Sequence, residues 1–268
     1  MTSYKHIDFE VPGFGELAGG PTLWPSYAGL VMSLGPVAYW RLGETTGSTA
    51  SDETGAYDGS YQGSPTLNEA GALEKDANPA VGFDGQDDRV RISTTAITGN
   101  AARTLVIWAA TTSTADGVRA NTLFDMGDEF ISESSANEQF SVAIEDTVLT
   151  LRTSNGNRIW SPPAGKSLTD GAWHCYAITF PGGNEDDLDA FMDGQPMPIS
   201  STNTGGAELI DTAQHEMAIG STVDRVSKGI GGYFDGTLDE PALFDRVLTS
   251  TETKRLHERG RAHFQIGA

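Results

Sequence analysis

The amino-acid sequence predicts an all-β fold of antiparallel strands, and three observations predict it. Residues 171–180 read G-A-W-H-C-Y-A-I-T-F, placing Trp173, Cys175, Ala177 and Thr179 on one side of an extended chain and His174, Tyr176, Ile178 and Phe180 on the other. Large apolar groups on both sides mark a strand buried on both faces. The chain then turns through 181–187, a loop with two glycines and three acids, and returns as L-D-A-F-M-D-G to Asp193-Gly194, which makes a central hairpin. Finally, 32 glycines and 12 prolines are scattered along 268 residues rather than clustered, as turns between many short strands require.

Taken in order, the elements follow from local signals, and the length suits one large sandwich domain with tails. Residues 1–25 combine glycines and prolines with Tyr4, Ile7, Phe9, Val11, Phe14, Leu17, Leu23 and Trp24. That is too aromatic for a free tail and describes an arm ordered by lying on a partner or on its own domain. Ser26 caps a short helix that runs through Leu34 and stops at Gly35-Pro36, with Leu30, Val31 and Leu34 on one side. Residues 37–42 are the first strand, and the small polar run 43–59 is loop. Strands at 80–83 and 89–92 flank Asp84-Gly85 as a hairpin-like break. Strands at 103–110, 121–126, 140–145, 148–153 and 157–160 follow, with Asn155-Gly156 as a hairpin turn. Residues 216–220 and 236–244 are the last strands. Pro241 cannot donate to a ladder, so an edge position or a bulge is expected there. From Thr249 the run T-S-T-E-T-K-R-L-H-E-R-G pairs a capping residue with Glu252 and ends in basic residues, as a helix and its dipole prefer.

Charge and cysteine content exclude several classes of function. With 37 acids against 17 bases the formal net charge is −20, a field that repels nucleic-acid phosphates and anionic membranes. The single cysteine, Cys175, rules out an intrachain disulfide and sits in an apolar strand as a packed thiol. The opening residues have no basic segment followed by an apolar run, so no secretory signal is expected, and no stretch reaches the length of a membrane span. Assembly in a cytosol is expected.

Few constellations could carry chemistry. Glycoside hydrolysis needs two carboxylates fixed about 5 to 9 Å apart, whereas the nearest acids, Glu185, Asp186, Asp187 and Asp189, fall mostly in the hairpin loop, splayed into water. There is no G-x-S-x-G elbow. The five histidines (His6, His174, His215, His257, His263) show no H-E-x-x-H spacing, and a lone cysteine builds no zinc site. A sugar site needs an exposed aromatic platform beside amides or charged groups. Trp160, with Asn155, Asn157 and Arg158 near a strand end, fits that description, and Tyr57 and Tyr61 are further loop aromatics.

Five stretches beyond the central hairpin carry a family resemblance: Ala38-Tyr39-Trp40-Arg41-Leu42; Val81-Gly82-Phe83-Asp84-Gly85 with Asp87-Asp88; Leu105-Val106-Ile107-Trp108; Gly236-Thr237-Leu238-Asp239-Glu240; and Phe244-Asp245-Arg246 with Leu248 and Glu252. Together with the Trp173-His174 pair, their order over residues 36–256 resembles the laminin G-like jelly-roll family of concanavalin A-like sandwiches. The resemblance implies a two-sheet antiparallel jelly roll over 26–248, preceded by the arm 1–25 and followed by a C-terminal helix and tail, 249–268. It places Trp40, Trp108 and Trp173 in the core and makes His174 a structural hydrogen-bonding residue. It also implies calcium, held by Asp52 and Asp58 in a loop matching the family's Asp-x-x-Gly-x-x-Asp-Gly pattern and by Asp84, Asp87 and Asp88, with Asp239 joining the first group.

The opening from Ser33 to Glu44, together with the arm, looks like modules carried on bacteriophage particles. That implies a non-enzymatic virion protein decorating a head or tail and meeting host glycans. Its partners would be capsid or tail proteins, reached through residues 1–25 or the C-terminal helix, or further copies of itself as a homo-oligomer. The rival reading is a carbohydrate-binding or adhesion module of a bacterial secreted protein, and a third is a glycoside hydrolase.

Overall fold

A computed structural model of the protein describes residues 25–74, 76–114, 121–127, 139–153, 156–204, 210–223 and 231–261; the expected arm at 1–24 and the tail beyond 261 lie outside the described residues. Helix α1 (Tyr27–Ser33) opens the described chain and α2 (Ser250–Gly260) closes it. Between them run β1 (Ala38–Tyr39), β2 (Thr49–Ala50), β3 (Gly59–Gln62), β4 (Thr66–Glu69), β5 (Ala80–Asp84), β6 (Arg89–Ile92), β7 (Arg103–Ala110), β8 (Asn121–Gly127) and β9 (Gln139–Glu145). The remaining strands are β10 (Val148–Arg152), β11 (Gly156–Trp160), β12 (His174–Phe180), β13 (Asp189–Met192), β14 (Gln195–Pro196), β15 (Ile199–Thr204), β16 (Glu216–Ile219) and β17 (Asp235–Phe244).

They form two antiparallel sheets packed as a jelly-roll sandwich, as the sequence predicts. One has the order β14-β13-β12-β7-β17-β5-β4 with β1 also on β17, and the other the order β15-β11-β10-β9-β8-β16-β6-β3-β2. The expected central hairpin is present: β12 pairs with β13 from Tyr176↔Met192 to Thr179↔Asp189, and with β7 from His174↔Ala109 to Phe180↔Arg103.

The absence of polar alternation in β7 and β12 has a direct cause. Leu105, Ile107, Tyr176, Ile178 and Phe180 fill the space between the sheets against Phe124, Phe140, Val142 and Ile144. Their neighbours Val106, Trp108, Cys175 and Ala177 face outward and are covered by Tyr27, Leu30 and Val31 of α1 and by Leu256 of α2. Trp108 Nε1 donates to the Tyr27 hydroxyl at 2.9 Å, which ties α1 to the sheet. Both helices start on the expected caps. Ser26 Oγ accepts from Gly29 N, and Thr249 forms a reciprocal capping box with Glu252.

Several local expectations are corrected. Strands 80–84 and 89–92 are not a hairpin: β5 pairs with β17 and β4, β6 with β16 and β3, so residues 85–88 carry the chain from one sheet to the other. The run 43–59 is not all loop, because β2 pairs with β3 inside it at Ala50↔Gly59. In the hairpin loop 181–187, Asn184 caps a short 3-10 turn, Glu185–Asp187. Only Ala38 and Tyr39 of 37–42 join a ladder, with Trp40 bridged singly to Asp52. Pro241 occupies a bulge, as expected: β17 shifts register against β7 between Asp239 and Ala242, in a strand with neighbours on both sides. Asn155 lies outside the described residues, and Gly156 already pairs with Thr204 on β15.

Candidate functional site

The crossover between the sheets concentrates negative charge. Asp84 is the last residue of β5, Asp88 immediately precedes β6, and Gly85 (φ +73°) makes the turn between them. The Asp84 carboxylate is organised locally, with Oδ1 accepting from Gln86 N and Oδ2 from Gln86 Nε2, both at 2.9 Å. Asp88 Oδ2 accepts from Asp84 N at 3.1 Å. Carboxylate oxygens of Asp84, Asp87 and Asp88 lie within 4.8 Å of one another, the sole such trio of potential ligands among the described residues. Asp84 and Asp87 are exposed and Asp88 is buried. Burial pushes the Asp88 carboxyl above the usual carboxylate range, and the charges of Asp84 and Asp87 push it further, against backbone donors from Asp84 and Ser64. Three oxygens held this close repel one another, and a hard divalent cation, which takes six to eight oxygens, would relieve that repulsion.

A shallow pocket adjoins the trio. Gly63 packs against the backbone of Asp87 and the carboxylate of Asp88, leaving no space for a side chain. Together with Gly47, Ser48, Tyr61, Ser64 and Pro65 it lines a hollow of about 230 Å³. The Tyr61 hydroxyl donates to Glu44 Oε2 at 2.7 Å, and burial and that bond raise its pKa, so the ring is held in place as a neutral phenol. The hollow offers one aromatic ring and two serine hydroxyls beside the acids.

The other expected metal ligands do different work. The Asp52 carboxylate is fully engaged, accepting from Tyr39 N (2.8 Å), Thr54 N (3.0 Å), Thr54 Oγ1 (2.5 Å), Ala56 N (3.0 Å) and Tyr57 N (2.9 Å). Burial would raise its pKa, but these bonds outweigh it and hold the group below its ordinary value. Asp58 Oδ1 accepts from Asp52 N at 2.8 Å, so both acids shape their loop. Asp239 does not join them. It is fully buried in β17, where Oδ2 accepts from Ala72 N at 2.8 Å.

The sugar platform expected around Trp160 is not assembled. Trp160 is 1% exposed and packs between the sheets, since its side of β11 faces the core. Arg158, on the same side, is buried and its Nη1 donates to Asp186 Oδ1 at 2.8 Å, while Asn157 falls on the opposite face. Tyr57 is half-buried against the core, its carbonyl accepting from Trp40 Nε1 at 2.8 Å. Asn155 is outside the described residues. Trp40 and Trp108 are core residues as expected, but Trp173 is only half-buried. His174 is the hydrogen-bonding residue expected, with Nδ1 2.8 Å from Asp193 Oδ2 and Nε2 3.2 Å from Asp170 Oδ1. Cys175 is a buried thiol whose pKa burial pushes up. Ser48 and Ser64 were not legible as site residues. The one local hint was Gly63-Ser64-Pro65, which reads only as a turn.

Residues 84–254 match the family Laminin_G_3, described as the concanavalin A-like lectin/glucanases superfamily. No curated protein matches the sequence. Among solved structures, the chain is similar to domain 4 of AbnA, a GH43 extracellular arabinanase from Geobacillus stearothermophilus, in complex with arabinotriose. The TM-score is 0.55 at 16% identity, over 83% of this chain and 98% of that one. It is also similar to Trypanosoma rangeli sialidase in complex with 2,3-difluorosialic acid (TM-score 0.52, 17% identity, 85% of this chain and 33% of that one). A third is the receptor binding domain of botulinum neurotoxin C/D mosaic serotype (TM-score 0.52, 9% identity, 83% and 51%). At these identities the likeness is one of fold.

Proposed function

Because the chain belongs to the concanavalin A-like lectin/glucanases superfamily, we propose that it is a non-enzymatic, lectin-like module that binds glycans with the help of calcium. The observation that carries this reading is the acidic trio Asp84, Asp87 and Asp88 set on a short crossover beside the Tyr61 hollow. Calcium on the trio would leave coordination positions for vicinal sugar hydroxyls, and the ring of Tyr61 suits the apolar face of a sugar. Three ligand oxygens that lie within 4.8 Å of one another can share one cation. The arabinanase domain, carrying arabinotriose, and the toxin receptor binding domain agree with a recognition role for this fold.

The site of action in this proposal is the surface of a bacteriophage particle. The Ser33–Glu44 opening and the aromatic arm at 1–25 support it, with capsid or tail proteins, or further copies of the chain, as partners. A second reading, a carbohydrate-binding module of a bacterial secreted protein, is favoured by the likeness to a domain of an extracellular arabinanase.

The test is binding of the purified protein to a glycan array in calcium and in EDTA, alongside a double variant, Asp84→Asn with Asp87→Asn. Binding that is weaker in EDTA than in calcium, and weaker in the double variant than in the parent, is the expected result. Binding indifferent to EDTA, or none from folded protein, overturns the calcium-assisted reading.

A further inference from the structure

A second polar constellation lies at the start of β12, apart from the acidic trio. It surrounds an open cleft of about 540 Å³ whose lining includes Lys166, Asp170, Trp173, His174, Asp193 and His257. None of these residues belongs to the crossover or to the Tyr61 hollow.

The cleft is built from the inside outward. Asp193, at the turn after β13, is buried and uses both carboxylate oxygens. Oδ2 accepts from Lys166 Nζ at 3.0 Å and faces His174 Nδ1 at 2.8 Å, while Oδ1 accepts from Cys175 N at 3.1 Å. These partners hold its pKa far below the usual range despite burial. His174, also buried, reaches Asp170 Oδ1 through Nε2 at 3.2 Å, and Ala172 N donates to the same Asp170 oxygen at 2.9 Å. The buried pair thereby orients two groups at the surface: the Lys166 ammonium and the Asp170 carboxylate, with side chains 38% and 43% exposed. The half-buried Trp173, packed against the outer cluster beneath the helices, also lines the cleft, its carbonyl accepting from the Arg261 guanidinium.

A buried ion pair is an expensive way to stabilise a strand end compared with apolar packing. Asp193 Oδ1 also lies 3.5 Å from His257 Nδ1 of α2, without a hydrogen bond. What the pair does achieve is a fixed acceptor and a fixed donor beside an aromatic ring. Asp170 Oδ2 and two of the three Lys166 N–H groups are outside the bonds described and belong to groups that line the cleft. Charges of both signs line it, which suits neither a phosphate nor a polyamine and fits an uncharged polyhydroxylated ligand.

We propose that this cleft is a separate carbohydrate subsite that takes one neutral sugar residue without a metal ion, its hydroxyls bonded by Asp170 and Lys166 and its apolar face on Trp173. The choice of ligand class rests on the lectin reading above, but the site does not depend on calcium.

The experiment titrates the full chain, in EDTA, with D-glucose, D-galactose, D-mannose and L-arabinose. The indole N–H signals are followed by NMR, and the Trp173 signal is assigned with Trp173→Phe. A saturable shift of the Trp173 signal is expected for at least one sugar. It should persist in the Asp84→Asn, Asp87→Asn variant, and binding of the same sugar followed by calorimetry should be lost with Trp173→Ala. In Asp170→Asn and in Lys166→Met, whose exposed side chains can change without opening the core, it should weaken about tenfold or more, as the loss of a charged hydrogen bond implies. No saturable shift from folded protein overturns the proposal while leaving the calcium reading intact. So does a shift that survives both Asp170→Asn and Lys166→Met, or one lost only in the crossover variant. Sugar binding that persists in EDTA and needs Trp173 supports the cleft even if the calcium reading fails.

Discussion

A carboxylate in this fold behaves according to the donors within a few ångströms of it. Asp52 collects five hydrogen bonds and Asp193 is met by lysine, histidine and a backbone amide, so both are stabilised as anions. Asp239 Oδ2 accepts from Ala72 N, and no lysine, arginine or histidine side chain is described donating to its carboxylate. Its neighbour Glu240 takes the donors instead, from Arg41 Nε at 3.0 Å and Nη2 at 2.7 Å and from the Tyr39 hydroxyl. Burial, and then the Glu240 charge, raise the Asp239 pKa well above its ordinary 3.8. A carboxyl raised in the folded chain stabilises fully below its unfolded pKa, and that contribution is lost as pH rises through the folded value. Asp239→Asn, an isostere of the neutral acid, is therefore expected to flatten the fall in melting temperature as pH rises above the ordinary carboxyl value of 3.8. Parallel curves for variant and parent by circular dichroism would contradict this. Residue identity alone could not separate these aspartates, because all of them sit beside turns or bulges in the sequence. The same limit explains Trp160: alternation tells which side of β11 it occupies, not that this side faces the other sheet.

At the scale of elements, α2 shows the strongest agreement between local signals and structure. Thr249 and Glu252 cap it reciprocally, and Arg246 grips Glu252 with two bonds, at 3.1 and 2.8 Å. Its last residue, Gly260, lies directly on the Trp108 ring, where any Cβ would collide. Thr249→Ala is expected to cost about 1 kcal/mol. Gly260→Ala should cost more, about 1 to 3 kcal/mol, as overpacking does. Urea denaturation of both variants checks the order, and a Gly260→Ala protein as stable as the parent would mean that the helix can lift from Trp108. The caps were legible because their partners are three residues away. The crossover at 85–88 was not, because a glycine turn between two strands looks the same whether they pair with each other or with strands more than a hundred residues away.

For the molecule as a whole, α1 and α2 cover one outer face of the sandwich, and no helix among the described residues is long and apolar enough to cross a membrane. If the arm is the attachment device of a virion protein, deleting residues 1–25 leaves the Ser26 cap and the sandwich in place. The truncated chain should then melt as the parent does but fail to enter particles, and normal incorporation refutes the attachment role. The sequence by itself determined the all-β class, the central hairpin, both helix caps and the Pro241 bulge, because each depends on side-chain period or on partners a few residues apart. Only the tertiary structure decided which sheet each strand joins, that Trp160 is core while Trp173 reaches the surface, and that Lys166, Asp170, His174 and Asp193 line one cleft. Those outcomes depend on which distant segments pack together, and a local pattern records which face a side chain takes but not what lies opposite it.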